Sequence, residues 1–343
     1  MLTLEDFLRI DLPALLVAVL ASVSCSLLGT WLVLRREALV GDALSHVVLP
    51  GIVVAFIVTQ SVETVPMMAG ALVSSLVAVA LVEVVRRLGR LEPGAALGVV
   101  FTTLFAAGVV LLEQGVGTRV HLDAQHALYG ALETTLWVAP TDWASLLDPA
   151  VWAELPRQIT ALLVVTLAIT GLTIAFYKEL KITTFDPGLA TSLGISARWV
   201  SAGLMVMVAV AVVASFEAVG SILVVAMIVC PPATARMLTD RLSVQLVLGA
   251  AIGAASGIFG YIAAAWLPLW LGRQDSLSAA GMIAVVAGLF QLAAMLFAPR
   301  YGALAGRRVT LAPMRLAPSD GGDDLEPSLP ARRPRHRQPD PPP

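Results

Sequence analysis

Long apolar runs alternate with short polar breaks along this chain, and almost every run has the length of a membrane crossing. About twenty apolar residues in helical form cover the hydrocarbon core of a bilayer. Stretches of that kind lie at 12–34, 40–60, 66–85, 95–113, 158–177, 199–215, 217–235, 243–264 and 278–298. The pattern predicts an all-α polytopic membrane protein with about nine transmembrane helices. Eight or ten are the bounds, because the two runs flanking Glu217 could form one span plus a half-helix.

Composition agrees with that pattern. Of 343 residues, 58% are hydrophobic and only 13% charged, with a mean hydropathy of +0.85, more apolar surface than a soluble chain of this length can hide. The net charge of -2 says nothing of a partner's sign, since charges gather in loops and tail, and nucleic-acid binding has no support. Cys25 and Cys230 lie in apolar runs and read as small buried hydrophobes, too few for a disulfide framework or a cysteine metal cluster. The first residues, through Glu5 and Asp6, are acidic where a cleavable signal peptide would be basic, so the first run is kept as a span.

Positive charges orient the spans. Arg35 and Arg36, Arg86, Arg87 and Arg90, Lys178 and Lys181, Arg198, Arg236 and Arg241, and Arg300, Arg307 and Arg308 alternate with loops poor in Lys and Arg. All are cytoplasmic together if the N-terminus is outside and the C-terminus inside. The loop from Gln114 to Arg157 then lies outside, its Trp137, Trp143 and Trp152 suited to the membrane interface. The loop from Lys178 to Arg198 lies inside, where Phe185-Asp186-Pro187 reads as a helix start, with Asp at the cap and Pro in the first turn. Residues 1–300 form the transmembrane domain. Residues 301–343, rich in Pro, Asp and Arg, cannot bury a core and are expected to be a disordered cytoplasmic tail.

The candidate chemistry centres on Gly41-Asp42-Ala43-Leu44-Ser45-His46. Asp42 and His46 stand four apart, on one helix face, so a carboxylate and an imidazole can grip one cation inside the membrane. That donor pair suits Mn(II), Fe(II) or Zn(II) rather than Cu(I). Pro50-Gly51 follows, a pair expected to break the helix and free carbonyls along a cation path. His121, Asp123 and His126 in the outer loop have a spacing that could receive an incoming cation. Glu217 is a gate or ligand if buried and of little meaning if exposed at a turn. Glu83 precedes Arg86 and Arg87 by a helical turn and is expected to pair with them. The chain has no phosphate-binding Gly-x-x-x-x-Gly-Lys-Ser/Thr motif, so it cannot hydrolyse ATP alone.

These motifs resemble the membrane permeases of ABC importers for manganese, zinc and iron, the ABC-3 family. The resemblance runs from Leu34-Arg35-Arg36 through Gly41-Asp42 and Ser45-His46 to Pro50-Gly51, then Ala96 to Phe105, Phe185-Asp186-Pro187 with Leu193-Gly194-Ile195, Phe216 to Met227, Pro231 to Arg241, and Ala298 to Gly302. It implies a fold similar to vitamin B12 and siderophore permeases, and no enzymatic activity of the chain itself. It also implies a second permease copy or paralogue, a cytoplasmic ABC ATPase dimer that hydrolyses the ATP, and an extracellular metal-binding protein, all at a prokaryotic plasma membrane. No cofactor is held permanently; the metal is cargo.

By the same resemblance Asp42 and His46 match cation-coordinating positions. Pro231, Pro232, Ala233, Thr234, Ala235, Arg236, Thr239, Asp240 and Arg241 fall where related permeases place their ATPase-coupling element, with Phe185, Asp186 and Pro187 as the second candidate. Arg119 to Asp123 before Leu128-Tyr129-Gly130, and Pro231 to Ala235, look more like the manganese/iron branch than the zinc branch. Ala131 stands where many relatives carry Glu after Tyr-Gly, and the charged tail is not a family feature. Two other classes compete. An intramembrane aspartyl protease would need a second intramembrane Asp, and Leu39 replaces the first Gly of Gly-x-Gly-Asp; an ion-coupled secondary transporter would need more intramembrane carboxylates than this chain has.

Overall fold

The computed structural model describes residues 4–61, 63–115, 132–140, 142–270, 272, 277–298 and 302. Among them the chain folds as helices α1 (Leu12–Leu34), α2 (Leu39–Thr59), α3 (Thr64–Gly89), α4 (Pro93–Gly115), the short α5 (Pro149–Ala153), α6 (Arg157–Ala175), α7 (Tyr177–Phe185), α8 (Pro187–Ser192), α9 (Ala197–Leu238), α10 (Leu242–Trp270) and α11 (Ala279–Phe297). Eight of these helices are long and apolar enough to cross a membrane. α1 lies at the centre, packed against α9, α10 and α6, while α2 packs on α3 and α4 and α11 packs on α9 and α10.

The expected nine spans and the eight observed helices are reconciled in α9. Its 42 residues, at about 1.5 Å each, would make a rod of about 60 Å, twice the hydrocarbon thickness. The helix does not run straight. Ser201 accepts a hydrogen bond from Arg35, beyond the C-terminal end of α1, and Ser215 meets Cys25 near the middle of α1. Pro232 and Ile228 then return to Gly29, only six residues before Arg35. The reversal sits at Gly220, whose φ of 78° and ψ of 170° belong to a region open essentially to glycine alone. α9 is therefore a hairpin of two arms, 197–219 and 221–238, and the runs 199–215 and 217–235 are those arms.

Helix alternation places Arg35, Arg36, Arg86, Arg87, Lys178, Lys181, Arg236 and Arg241 at one end of the bundle, as the charge pattern predicts. At that end Glu83 pairs with Arg86 at 2.9 Å and accepts from Arg87 Nε at 2.6 Å, the expected helical ion pairs. The opposite end is closed by Arg9, which pairs with Glu5 at 2.6 Å and donates to the Pro140 carbonyl, and by Tyr261, which donates to Asp11 at 2.7 Å. Several hydroxyls within the spans bond backbone carbonyls one turn back, as Ser75 does on Ala71 and Thr166 on Leu162.

Candidate metal site

α1 stops because Arg36 takes a left-handed φ of 60°, its N–H bonding the Val33 carbonyl while the Glu37 N–H bonds that of Leu32. After a link of four residues, 35–38, α2 begins. Asp42 sits in its first turn and His46 one turn on, Asp42 Oδ1 and His46 Nε2 being 3.5 Å apart. Both side chains are half-exposed, 48% for Asp42 and 50% for His46. Ser45, beside them, is buried and donates to the Asp42 carbonyl at 2.6 Å, so its hydroxyl is committed to the backbone. The His46 ring rests edge-on against Phe105 of α4, the centroids 5.6 Å apart. That contact fixes the imidazole from outside its own helix, and Phe105 lies in one of the resemblance blocks without having stood out as a site residue.

Contrary to the expected break at Pro50-Gly51, α2 runs unbroken through both residues. Pro50 lacks an N–H, so the His46 carbonyl is without its usual helical donor, but one missing bond does not end a helix held by its neighbours. Pro50 packs against Gly108, where an added Cβ would meet its ring at 2.8 Å, and Gly51 abuts the backbone of Gly70. The pair serves close packing of α2 on α3 and α4.

Glu217 lies half-buried just before the Gly220 reversal. It lines a cavity of about 250 Å³ whose other walls include Val48, Ile52, Met67, Met68 and Phe216. Val48 follows His46 by two residues, about 200° around the helix, so the cavity opens on a different face of α2 from the Asp42–His46 pair. His121, Asp123 and His126 lie outside the described residues, as does the tail from residue 303 on. Among the described residues no group of three or more His, Cys, Asp or Glu side chains gathers to hold a metal. Asp42 and His46 therefore stand as a pair of donor side chains, with no third such group beside them among the described residues.

At the Arg-rich end the second arm of α9 continues through Pro231 and Pro232 to Leu238. Pro231, Pro232, Thr234 and Ala235 are buried; Arg236 pairs with Asp240 at 3.1 Å, and Thr239 to Arg241 make the short link into α10. Pro232 removes the donor for the Ile228 carbonyl, which approaches Gly29, while the Ile228 side chain would meet a Cβ on Gly41 at 2.6 Å. Asp186 caps α8 as expected, its carboxylate accepting from the Leu189 N–H at 2.9 Å with Pro187 in the first turn. Phe185, Leu189 and Leu193 stand exposed on this α7–α8 segment.

The sequence matches the ABC 3 transport family over residues 8–146 and 152–298. The chain belongs to that family. It is 40% identical over 294 residues to the manganese transport system membrane protein MntD of Bacillus subtilis, covering 85% of this chain and 94% of that protein. It is 36% identical to the zinc transport system membrane protein TroD of Treponema pallidum, covering 85% and 75% of the two. Its fold is similar to PsaBC from Streptococcus pneumoniae, solved in complex with Fab, with a TM-score of 0.67, 26% identity, and 86% and 94% of the chains covered. A metal-chelate type ABC transporter in an inward-facing conformation shares the fold at a TM-score of 0.63 and 15% identity. Permeases of this family lack an ATPase of their own. Membership sets aside the protease and ion-coupled readings.

Proposed function

We propose that this chain is the membrane-spanning subunit of an ATP-driven importer of a divalent transition metal, manganese or iron, with zinc as the alternative cargo. The observation that carries this reading is the Asp42–His46 pair, held 3.5 Å apart and half-open on a membrane helix of a chain in this family. A carboxylate and an imidazole are donors that Mn(II), Fe(II) and Zn(II) share, and the manganese and zinc systems of the relatives agree with that set.

Two ligands from one chain leave most of an Mn(II) shell unfilled. A second permease copy or paralogue, facing the same surface, supplies the rest. The outward face of α4 suits such a partner: Gly94, Gly98, Thr102 and Ala106 recur every four residues, all exposed, on the helix whose Phe105 touches His46. In this reading the Arg-rich end is cytoplasmic, with the N-terminus outside and the C-terminus inside a prokaryotic plasma membrane. Cytoplasmic ATPase subunits dock on the part of the Pro231–Arg241 stretch that reaches the surface, Leu238, Asp240 and Arg241, and on the α7–α8 segment. An extracellular binding protein delivers the ion, and closure of the ATPase pair turns the Asp42–His46 site from one side to the other.

Uptake by metal-starved cells that express the chain with its cognate ATPase and binding protein tests this, with Mn, Zn and Fe measured separately. Wild type accumulates one of them, and Asp42→Ala and His46→Ala abolish that accumulation at matched expression. Intact uptake in both variants sinks the site, and Glu217 then becomes the next residue to replace.

A further inference from the structure

Arg35 caps α1 at the turn that leads into the helix of Asp42 and His46. Its guanidinium fans into three hydrogen bonds: Nε donates to Thr184 Oγ1 at 3.0 Å, Nη1 to Ser201 Oγ at 2.8 Å and Nη2 to Thr183 Oγ1 at 3.2 Å. Thr183 and Thr184 belong to α7, and Ser201 to the first arm of α9. All three acceptors are neutral hydroxyls. The negative charge that Arg35 feels is that of Glu37, in its own turn. Drawing a cation partly out of water onto neutral acceptors is a poor way to gain stability. What such a fork does give is geometry, because a planar guanidinium with three occupied donors fixes two elements relative to its own backbone.

That backbone is itself tied to α2. The Arg35 N–H bonds the Trp31 carbonyl, Arg36 and Glu37 close the end of α1, and the Val40 N–H bonds the Glu37 carbonyl. Only seven residues separate Arg35 from Asp42. On the other side of the fork α7 runs through Asp186 into α8, the exposed segment at the Arg-rich end. A push on α7 and α8 therefore reaches the start of α2 through one side chain.

We propose that Arg35 is a positioning residue of the transport cycle, a clasp that carries displacement of the Tyr177–Ser192 segment to the helix bearing Asp42 and His46. The proposal rests on reading that pair as the metal site and this end as the ATPase-facing one.

The test uses the complete transporter in proteoliposomes, with Mn²⁺ supplied on its binding protein, and counts Mn²⁺ taken up per ATP hydrolysed. Arg35→Gln lowers that ratio about tenfold, a change of the size expected for a lost coupling between sites, with ATP hydrolysis held within about twofold of wild type. Replacing the acceptors together, Thr183→Val, Thr184→Val and Ser201→Ala, has the same effect with Arg35 left in place. Arg35→Lys, which keeps the charge without the fork, does not restore the ratio. A wild-type ratio in Arg35→Gln or in the triple variant overturns the proposal. So does a parallel fall of uptake, hydrolysis and melting temperature in both, the mark of a merely structural contact. Asp42→Ala in the same membranes separates the two levels: if it leaves uptake intact the metal reading itself fails. If it abolishes uptake while Arg35→Gln keeps the normal ratio, only the clasp fails.

Discussion

Gly220 and Gly203 lie in the same helix and should respond to the same substitution with opposite signs. At Gly220, φ of 78° and ψ of 170° place the backbone where an L side chain costs about 1–3 kcal/mol. Alanine recovers about 0.4–1 kcal/mol of that by restricting the unfolded chain, so Gly220→Ala should lose about 1–2 kcal/mol net. At Gly203 a Cβ would meet nothing within 4 Å and the helix is regular, so Gly203→Ala should gain about 0.5–1 kcal/mol. The two variants then differ by about 1.5–3 kcal/mol, or on the order of 5 °C in melting temperature for a protein of this size. The assay is thermal loss of the monodisperse peak of detergent-solubilised transporter, run on both variants with wild type between them. If Gly220→Ala melts at or above Gly203→Ala, α9 does not reverse at Gly220 and the hairpin is wrong.

Other outcomes follow from contacts described above. Gly51→Val drives a side chain into the backbone of Gly70 and should cost about 1–3 kcal/mol, read as a lower melting temperature and as lost uptake with Asp42 and His46 untouched. Glu37 is displaced upward from the ordinary carboxylate value of 4.5, chiefly by burial, with Arg35 and Arg86 opposing and Glu83 adding to the shift. A carboxyl whose folded value is raised holds its proton longer in the folded state, so its contribution falls as pH rises from about 4.5 through the folded value. Glu37→Gln should accordingly raise the melting temperature at pH 7 and lose that advantage near pH 4; an equal gain at both would show that charge is not the cause. Arg236→Ala removes only an exposed pair with Asp240 and should shift stability by about 1 kcal/mol or less; a larger drop would mean that the link into α10 depends on it.

Much of this was legible in the linear pattern because a bilayer imposes it. Span lengths, the gathering of Arg and Lys at one end, and the i,i+4 pairing of Asp42 with His46 all follow from local spacing. The Asp186 cap and the Glu83 pairs were local too, and both formed as expected. Pro50-Gly51 was misread because the sequence shows the missing N–H but not the glycines at 70 and 108 that let neighbouring helices close around it. The hairpin of α9 depends on one backbone angle at Gly220, which a run of apolar residues does not reveal. Arg35 hid its role for a different reason: its partners Thr183, Thr184 and Ser201 lie 148, 149 and 166 positions away, and threonines beside an apolar stretch carry no mark of being acceptors.

The wedge of Ile228 between Gly29 and Gly41 sets how the machine transmits force. Its carbonyl bears on the backbone of α1 at Gly29, and its side chain, through Cδ1 and Cγ2, reaches the backbone of α2 at Gly41. Close-packed interiors barely compress, so the backbone contact at Gly29 leaves little slack, while the contact at Gly41 can give by rotation of the Ile228 side chain. In the proposed transport cycle a displacement of the second arm of α9, which ends in Pro231 to Leu238, would press on α1 directly and on the root of the Asp42–His46 helix through the Ile228 side chain. A residue larger than glycine at position 29 would meet backbone and force the two helices apart, whereas at position 41 the Ile228 side chain can yield.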